Sequence, residues 1–251
     1  MVSFEGKPAY LQIADDLRQQ IMDGRLAAGD RIPSESKLIT DHDVSRTVAK
    51  MAIGVLRHEG FIYSHPGKGS FVRVGEPLRR RTGNRYKRQA QPPFASDASA
   101  AGKKSDWEYE TTREEASPTI AERLNINTGN QVIRTNYRFM ADGKPIQIST
   151  SYEPRAITGG TPVELPEDGP VKGVIARMDS IGHYATHVDE NVTVRPARPY
   201  ESEQLNIPEN VQVFCIRRTH YEDETPLEVC DIVVPSDRYE LYYRIPVELT
   251  E

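Results

Sequence analysis

The residues best placed to do chemistry in the N-terminal part are Ser45, Arg46, Thr47 and Lys50. They lie in the stretch RIPSESKLITDHDVSRTVAK, from Arg31 to Lys50. An arginine can hold a guanine edge through two parallel hydrogen bonds, a threonine methyl suits thymine, and a lysine pairs with phosphate. Lysine lacks the rigid fork of arginine, so phosphate is the expected partner of Lys50. Gathered at the start of one helix, this set fits the major groove of duplex DNA. An ordinary amphipathic helix with a solvated charged face would look similar, so the flanking elements decide.

Those elements are legible. Ser34 can cap a short helix that buries Leu38 and Ile39, and Asp41-His42-Asp43 is a polar turn. Ser45 can cap a second helix with an apolar stripe of Val48, Met51, Ala52, Val55 and Leu56. Arg46, Thr47, Ala49 and Lys50 fall off that stripe. Upstream, Pro8 opens a helix with the stripe Tyr10, Ile13, Ala14, Leu17 and Ile21, and Gly24 stops it. Downstream of Gly60, Phe61-Ile62-Tyr63 and Ser70-Phe71-Val72 read as two strands around His65-Pro66-Gly67-Lys68-Gly69. A Gly-rich basic loop there forms a wing able to approach the sugar-phosphate edge or minor groove.

The blocks PAYLQIADDLRQQIMDGRLAAGDRIPSESKL, VSRTV, LRHEGFI and GKGSFV resemble the DNA-binding domain of GntR-type bacterial regulators over residues 8–73. The resemblance implies a winged helix-turn-helix. It implies DNA contacts at Arg31, Ser34, Ser45, Arg46, Thr47, Lys50, Gly67 and Lys68.

Charge is divided unevenly. Residues 1–88 carry 16 Lys+Arg and 10 Asp+Glu, about +6; the rest carry 16 and 27, about −11, which together give the net −5. A basic N-terminal part joined to an acidic remainder fits a nucleic-acid-binding module attached to something else. No apolar run reaches membrane-span length, there is no signal-peptide core, and two cysteines make no disulfide framework, so a cytoplasmic location is expected.

Arg79-Arg80-Arg81, Arg85 and Lys87-Arg88, followed by QAQPPFASDASAAGKKS, read as a basic and flexible linker. The expected division is therefore a DNA-binding domain at 1–75, a linker at 76–106 and a second domain at 107–251. Whether the basic run touches phosphate or is simply solvated is open at this level.

The second domain contains a repeat. Residues 116–154 align without a gap on 197–235, at an offset of 81, with Leu124-Asn125-Ile126 on Leu205-Asn206-Ile207 and Asp142 on Asp223. Each copy reads as helix, strand, turn and returning strand, giving an antiparallel sheet with approximate two-fold symmetry. A helix is expected over Val171 to Met178 and a strand over Thr186 to Val194. With a turn at Asp142-Gly143, simple alternation puts Arg134, Asn136, Arg138, Gln147, Ser149 and Ser151 on one polar face. Ile133, Thr135, Tyr137, Phe139, Ile146, Ile148, Thr150 and Tyr152 then lie on the other. The polar face could bind a carboxylate or phosphate, or could simply be wetted. The second hairpin, apolar on both faces, is expected to be the more central. The same alternation places Cys215 and Cys230 diagonally on one face as unbridged thiols. His183 and His187 share no helix, so no metal site is expected.

The blocks YRFMADGKPIQISTSYEP and LNIPENVQVFCIRRTHYEDETPLEV resemble the UTRA effector domain of HutC-like GntR regulators, which has a chorismate-lyase-like fold. The resemblance implies an α+β chain, homodimers formed through this domain, and a small-molecule effector. It implies effector contacts at Arg134, Arg138, Ser149, Ser151, Tyr152, Glu190, Tyr221, Glu228 and Asp231. The expected function is a dimeric repressor that binds an inverted-repeat DNA operator and is released by a small acidic or polar metabolite, with no cofactor. The alternatives are a constitutive repressor whose second domain only dimerises, and a lyase-like enzyme. No nucleophile–base arrangement, metal spacing or phosphate loop supports the enzyme.

Overall fold

The computed structural model describes residues 6–65, 67–73, 77–81, 85–88, 93–208 and 211–245. The chain forms two compact units, Met1–Glu76 and Pro77–Glu251.

The first unit holds helices α1 (Ala9–Met22), α2 (Glu35–His42) and α3 (Arg46–His58), then strands β1 (Ile62–His65) and β2 (Gly69–Val72). Both expected caps form: Ser34 accepts a hydrogen bond from the Lys37 amide at 3.2 Å and Ser45 one from the Val48 amide at 3.3 Å. Asp43, at φ 50°, ends α2 in the left-handed conformation. The stripe of α1 is as expected, with Ile13, Ala14 and Leu17 buried. That of α3 is rotated. Ala49, Ala52, Ile53 and Leu56 are buried, whereas Met51 is exposed. Ala49 is small enough to sit where α3 meets the core, so the exposed face is Arg46, Thr47, Lys50 and Met51.

The second unit is built on one six-stranded sheet in the order β4-β5-β6-β9-β8-β7. Its strands are β4 (Ser105–Glu115), β5 (Gln131–Ala141), β6 (Lys144–Pro154), β7 (His187–Pro196), β8 (Gln212–Glu222) and β9 (Thr225–Pro235). The order is symmetric about the β6–β9 pair. Each hairpin supplies one central strand, so the second is not the more central. The 81-residue offset also extends further back than the sequence revealed. Trp107 pairs with Phe139 between β4 and β5, and Val188 pairs with His220 between β7 and β8, so each copy is strand–helix–hairpin. Helices α5 (Pro118–Leu124) and α8 (Pro199–Leu205) pack on the central strand of the opposite copy, α5 against β9 and α8 against β6. Between the copies lie α6 (Arg155–Thr158) and α7 (Val174–Ser180).

The expected free linker is largely folded structure of this unit. Strand β3 (Leu78–Arg81) pairs in parallel with β10 (Tyr239–Tyr242), and helix α4 (Pro93–Ala100) follows. Leu78, Phe94 and Tyr239 join the core formed with Ile216, Ile232 and Val234. Four of the six residues of the basic run meet carboxylates of this unit: Arg79 with Glu240, Arg80 with Glu190, Arg85 with Asp97 and Arg88 with Asp179. The segment looks aperiodic because its anchors are single residues, and Arg79, Arg80 and Arg88 meet partners distant in sequence. Residues 76, 82–84 and 89–92 of the expected linker lie outside the described residues.

Candidate functional site

In the first unit, Ser34, Ser45, Arg46, Thr47, Lys50, Gly67 and Lys68 are all exposed, as is Arg31. Arg31 bridges Phe71, and the amide of Ile32 donates to the Ser70 carbonyl at 3.0 Å, so the Arg31 segment runs beside the wing. Tyr63 stacks on Phe71 at 5.8 Å between ring centroids, and Ser64 and Ser70 share a 2.7 Å hydrogen bond, stiffening β1 and β2. The two serines expected to contact DNA double as caps, so their hydroxyl lone pairs hold helix amides while their protons remain free to donate. Gly69 is special. At φ +107° it adopts a conformation that suits glycine, and a Cβ there would lie 2.7 Å from Arg31 Nε. Gly69→Ala is expected to push Arg31 aside and weaken DNA binding by about tenfold, on the scale of one charge-assisted hydrogen bond. A gel-shift titration with unchanged helicity by circular dichroism checks this; unaltered affinity would remove Arg31 and the wing from the interface.

In the second unit the expected effector residues separate onto two faces, because each hairpin carries a β-bulge. The turn is where the sequence put it, with Ala141 opposite Lys144 across Asp142 and Gly143, both at positive φ. Phe139 then pairs with Gln147 but Met140 with Pro145, leaving Ile146 as an extra residue. The second hairpin repeats this, pairing His220 with Glu228 and Tyr221 with Pro226 around Leu227. One extra residue inverts the faces of everything beyond it. Arg134 therefore lies opposite Tyr152, and Arg138 opposite Ile148, whereas Tyr137 faces Ser149 and Thr135 faces Ser151. The joint wall of arginines and serines expected from alternation does not exist. Cys215 and Cys230 are free thiols, and the second bulge puts them on opposite faces, Cys215 opposite Val233 and Cys230 opposite Arg218.

Arg134 and Arg138 belong to the face bearing α5 and α8. Arg138 donates to the Gln204 carbonyl at 2.9 Å and pairs with Glu108 at 3.2 Å, and Arg134 approaches Glu114 at 3.5 Å. Asp231 is held by Arg123 of α5 at 2.9 Å, and Tyr152 packs on the α5 core. Tyr221 stacks on His187 at 4.8 Å, away from the cavity described next.

The opposite face carries a cavity of about 130 Å³. Its floor takes matching positions from the two copies: Tyr137 and Arg218, Phe139 and His220, Gln147 and Glu228, Ser149 and Cys230, Ser151 and Ile232. Of the expected residues, Ser149, Ser151 and Glu228 line it. Glu190 sits alongside, opposite Arg218 in the β7–β8 pairing, and is held by Arg80 and the Tyr86 hydroxyl. One wall is the segment that sequence reading left as a tether, through Arg85, Tyr86, Phe94 and Asp97. The other is Glu167 with Gly173 to Arg177.

The wall charges are tightly partnered. Arg177 grips Glu153 through two parallel bonds of 2.6 and 2.9 Å, both side chains nearly inaccessible. Glu228 accepts from Arg218 at 3.0 Å and meets His220 Nδ1 at 2.9 Å. Burial opposes ionisation of Glu228, but the Arg218 guanidinium and the His220 contact outweigh it and hold the carboxyl at about 2. Burial, with Arg218 nearby, pushes His220 below its ordinary value, so its ring is neutral at pH 7. Glu167 accepts from the Tyr137 hydroxyl at 3.0 Å and from the Trp107 indole at 3.3 Å. Burial pushes the Cys230 thiol up to about 12, so it is no nucleophile at neutral pH.

Sequence reading missed Arg85, Phe94, Trp107, Arg177, Arg218 and His220 as cavity residues, and placed Tyr137 and Phe139 on the face opposite Gln147, Ser149 and Ser151, with which they line the cavity. A signal for the bulge was present, since the doublets Pro145-Ile146 and Pro226-Leu227 recur at the same offset beside each turn.

A winged helix-turn-helix with an exposed basic helix start, followed by a repeat-built sheet with a cavity, defines a ligand-sensing DNA-binding regulator. The UTRA domain model matches residues 100–240, and that of the bacterial regulatory proteins of the gntR family matches residues 9–72. The chain belongs to the GntR family and carries a UTRA domain; it is a transcriptional regulator, not an enzyme. It is similar to a GntR-family transcriptional regulator of known crystal structure, with 38% identity, TM-score 0.70, and 98% of this chain and 100% of that one covered. It is 26% identical over 237 residues to the histidine utilization repressor of Pseudomonas putida, covering 93% of this chain and 90% of that protein. It is 25% identical over 244 residues to the transcriptional repressor NagR of Bacillus subtilis, covering 92% of each. PhnF from Mycobacterium smegmatis shares the fold, at TM-score 0.61 and 18% identity, with 94% of this chain and 100% of that one covered. Among the described residues no helix is long and apolar enough to cross a membrane.

Proposed function

We propose that this regulator is a homodimeric repressor that reads an inverted-repeat operator through the start of α3 and the wing. A small molecule held in the cavity of the second unit releases it. The observation that carries the reading is the cavity wall at Arg85, Tyr86, Phe94 and Asp97. These residues lie on the chain between the DNA-reading unit and the sheet, so a ligand must touch the connection itself. Release requires that the ligand bind the DNA-incompetent arrangement more tightly than the competent one. A coupling of about 1–3 kcal/mol, roughly 5–150-fold in operator affinity, is the expected size. Cytoplasmic action follows from this role.

Arg46 reads a base and Lys68 holds the backbone. Arg46→Ala is expected to cost about 1–3 kcal/mol on operator DNA and to relax preference at one base pair. Lys68→Ala should weaken all sequences alike and flatten the salt slope by about one unit. Operator selected from random-sequence DNA, titrated against scrambled DNA at several salt concentrations, separates the two. Equal losses on both DNAs for Arg46→Ala would end its assignment as a base reader.

A further inference from the structure

We propose that the cavity takes an uncharged, oxygen-rich ring compound rather than an acid. This rests on the effector reading above and narrows it. The first support is the balance of charge on the walls. Arg177 is matched by Glu153, Arg218 by Glu228, and Arg85 by Asp97, while Glu167 has Lys172 at 3.7 Å. Lys87, at the mouth, is exposed to water and correspondingly screened. An acidic ligand therefore meets no net positive charge inside. To gain one it would have to strip an arginine from its carboxylate and leave that carboxylate buried and unpaired, which is strongly unfavourable.

The second support is what these pairs leave open. The Nε–H donors of Arg85, Arg177 and Arg218 and the Oε1 acceptor of Gln147 are buried without a hydrogen-bond partner among the described residues. All four side chains line the cavity, and Arg177 and Gln147 are 1% and 4% exposed. Three unpartnered donors against one unpartnered acceptor, all on side chains that line the cavity, favour a ligand rich in hydroxyl or carbonyl oxygens once a small side-chain turn lets it reach them. Buried donors of this kind favour ligands that satisfy them, because leaving them unmade is expensive.

The third support is the asymmetry between the repeat copies. Where the second copy places Arg218 and His220, the first places Tyr137 and Phe139. Their rings stack at 5.3 Å, and Phe94 and Trp107 extend the surface at 4.9 and 6.4 Å from Phe139. A floor that is aromatic towards one edge of the sheet and polar towards the other receives a ring by its face while its edge oxygens meet polar groups.

A small-molecule extract of the source cells serves as the probe. It is passed over a cation exchanger and then an anion exchanger at pH 7. The unretained and the eluted fractions are each added to the full chain in a thermal-unfolding assay. The same fractions are added to Ser149→Trp, which fills the cavity, and to Gln147→Leu, which removes the open acceptor at similar volume. Operator binding verifies that each variant is folded. The unretained fraction should stabilise the wild type, should fail on Ser149→Trp, and should need about tenfold more material on Gln147→Leu. Activity confined to an ion-retained fraction and lost in Ser149→Trp would overturn the ligand class while leaving the effector reading intact. Stabilisation that persists in both variants would place binding outside the cavity and overturn the proposal. Silence from every fraction would overturn the effector reading, and this inference with it.

Discussion

Arg177→Ala should lower the stability of the second unit by about 3–5 kcal/mol, the cost of leaving one member of a buried ion pair alone. Arg177 is 1% exposed and binds both oxygens of Glu153, itself 1% exposed, so the intact pair is held out of water. The loss should depend on pH with a definite sign. Burial already pushes the Glu153 carboxyl above its ordinary value despite Arg177. Without the arginine its folded pKa rises further above the unfolded one. A carboxyl of that kind stabilises the fold below its unfolded pKa, where it is protonated in both states, and that stability is lost as pH rises through the folded pKa. The deficit of Arg177→Ala should therefore be larger at pH 8 than at pH 5. Urea unfolding at both values measures it. Arg177→Ala combined with Glu153→Ala should cost less than the sum of the single changes. A pH-independent loss below about 1 kcal/mol would mean that the pair is weakly held or hydrated.

Phe94→Ala should have a comparable effect, because its ring is 2% exposed and packs from the connecting segment onto the sheet core. Truncating a buried phenylalanine typically costs about 3–5 kcal/mol. Here the change also removes an aromatic cavity wall on the chain that leads to the DNA-reading unit. The expected result is a lower unfolding midpoint together with loss of ligand-induced operator release, while operator affinity without ligand stays close to that of the wild type. Arg138→Ala is the control, since Arg138 sits on the opposite face of the sheet and should leave release unchanged. A two-ligand titration of operator and extract fraction reads both variants, and operator must lower ligand affinity by the same factor. If Phe94→Ala still released DNA normally, the connecting wall would not transmit occupancy.

The sequence by itself determined the first unit almost completely. Its contacts are local, so caps at Ser34 and Ser45, stops at Gly24 and Gly60 and the stripe of α1 could be read from spacing alone. Only the rotation of α3, with Ala49 inward and Met51 outward, was left to packing. The 81-residue repeat and the turn at Asp142-Gly143 were equally legible, because repetition and turn chemistry are written in neighbouring residues. Tertiary structure decided the rest. A single extra residue, Ile146 or Leu227, moved Ser149, Ser151 and Glu228 to the cavity side and left Arg134, Arg138, Tyr152 and Asp231 on the other. Alternation carries no term for a bulge, whose presence depends on how the strand fits its partner. The segment holding Arg80, Arg85 and Phe94 looked like a tether because charge and low periodicity are scored locally, whereas the Glu190 partner of Arg80 and the sheet core under Phe94 come from elsewhere in the fold. Chain chemistry specified which groups were available; burial and register specified which of them face each other.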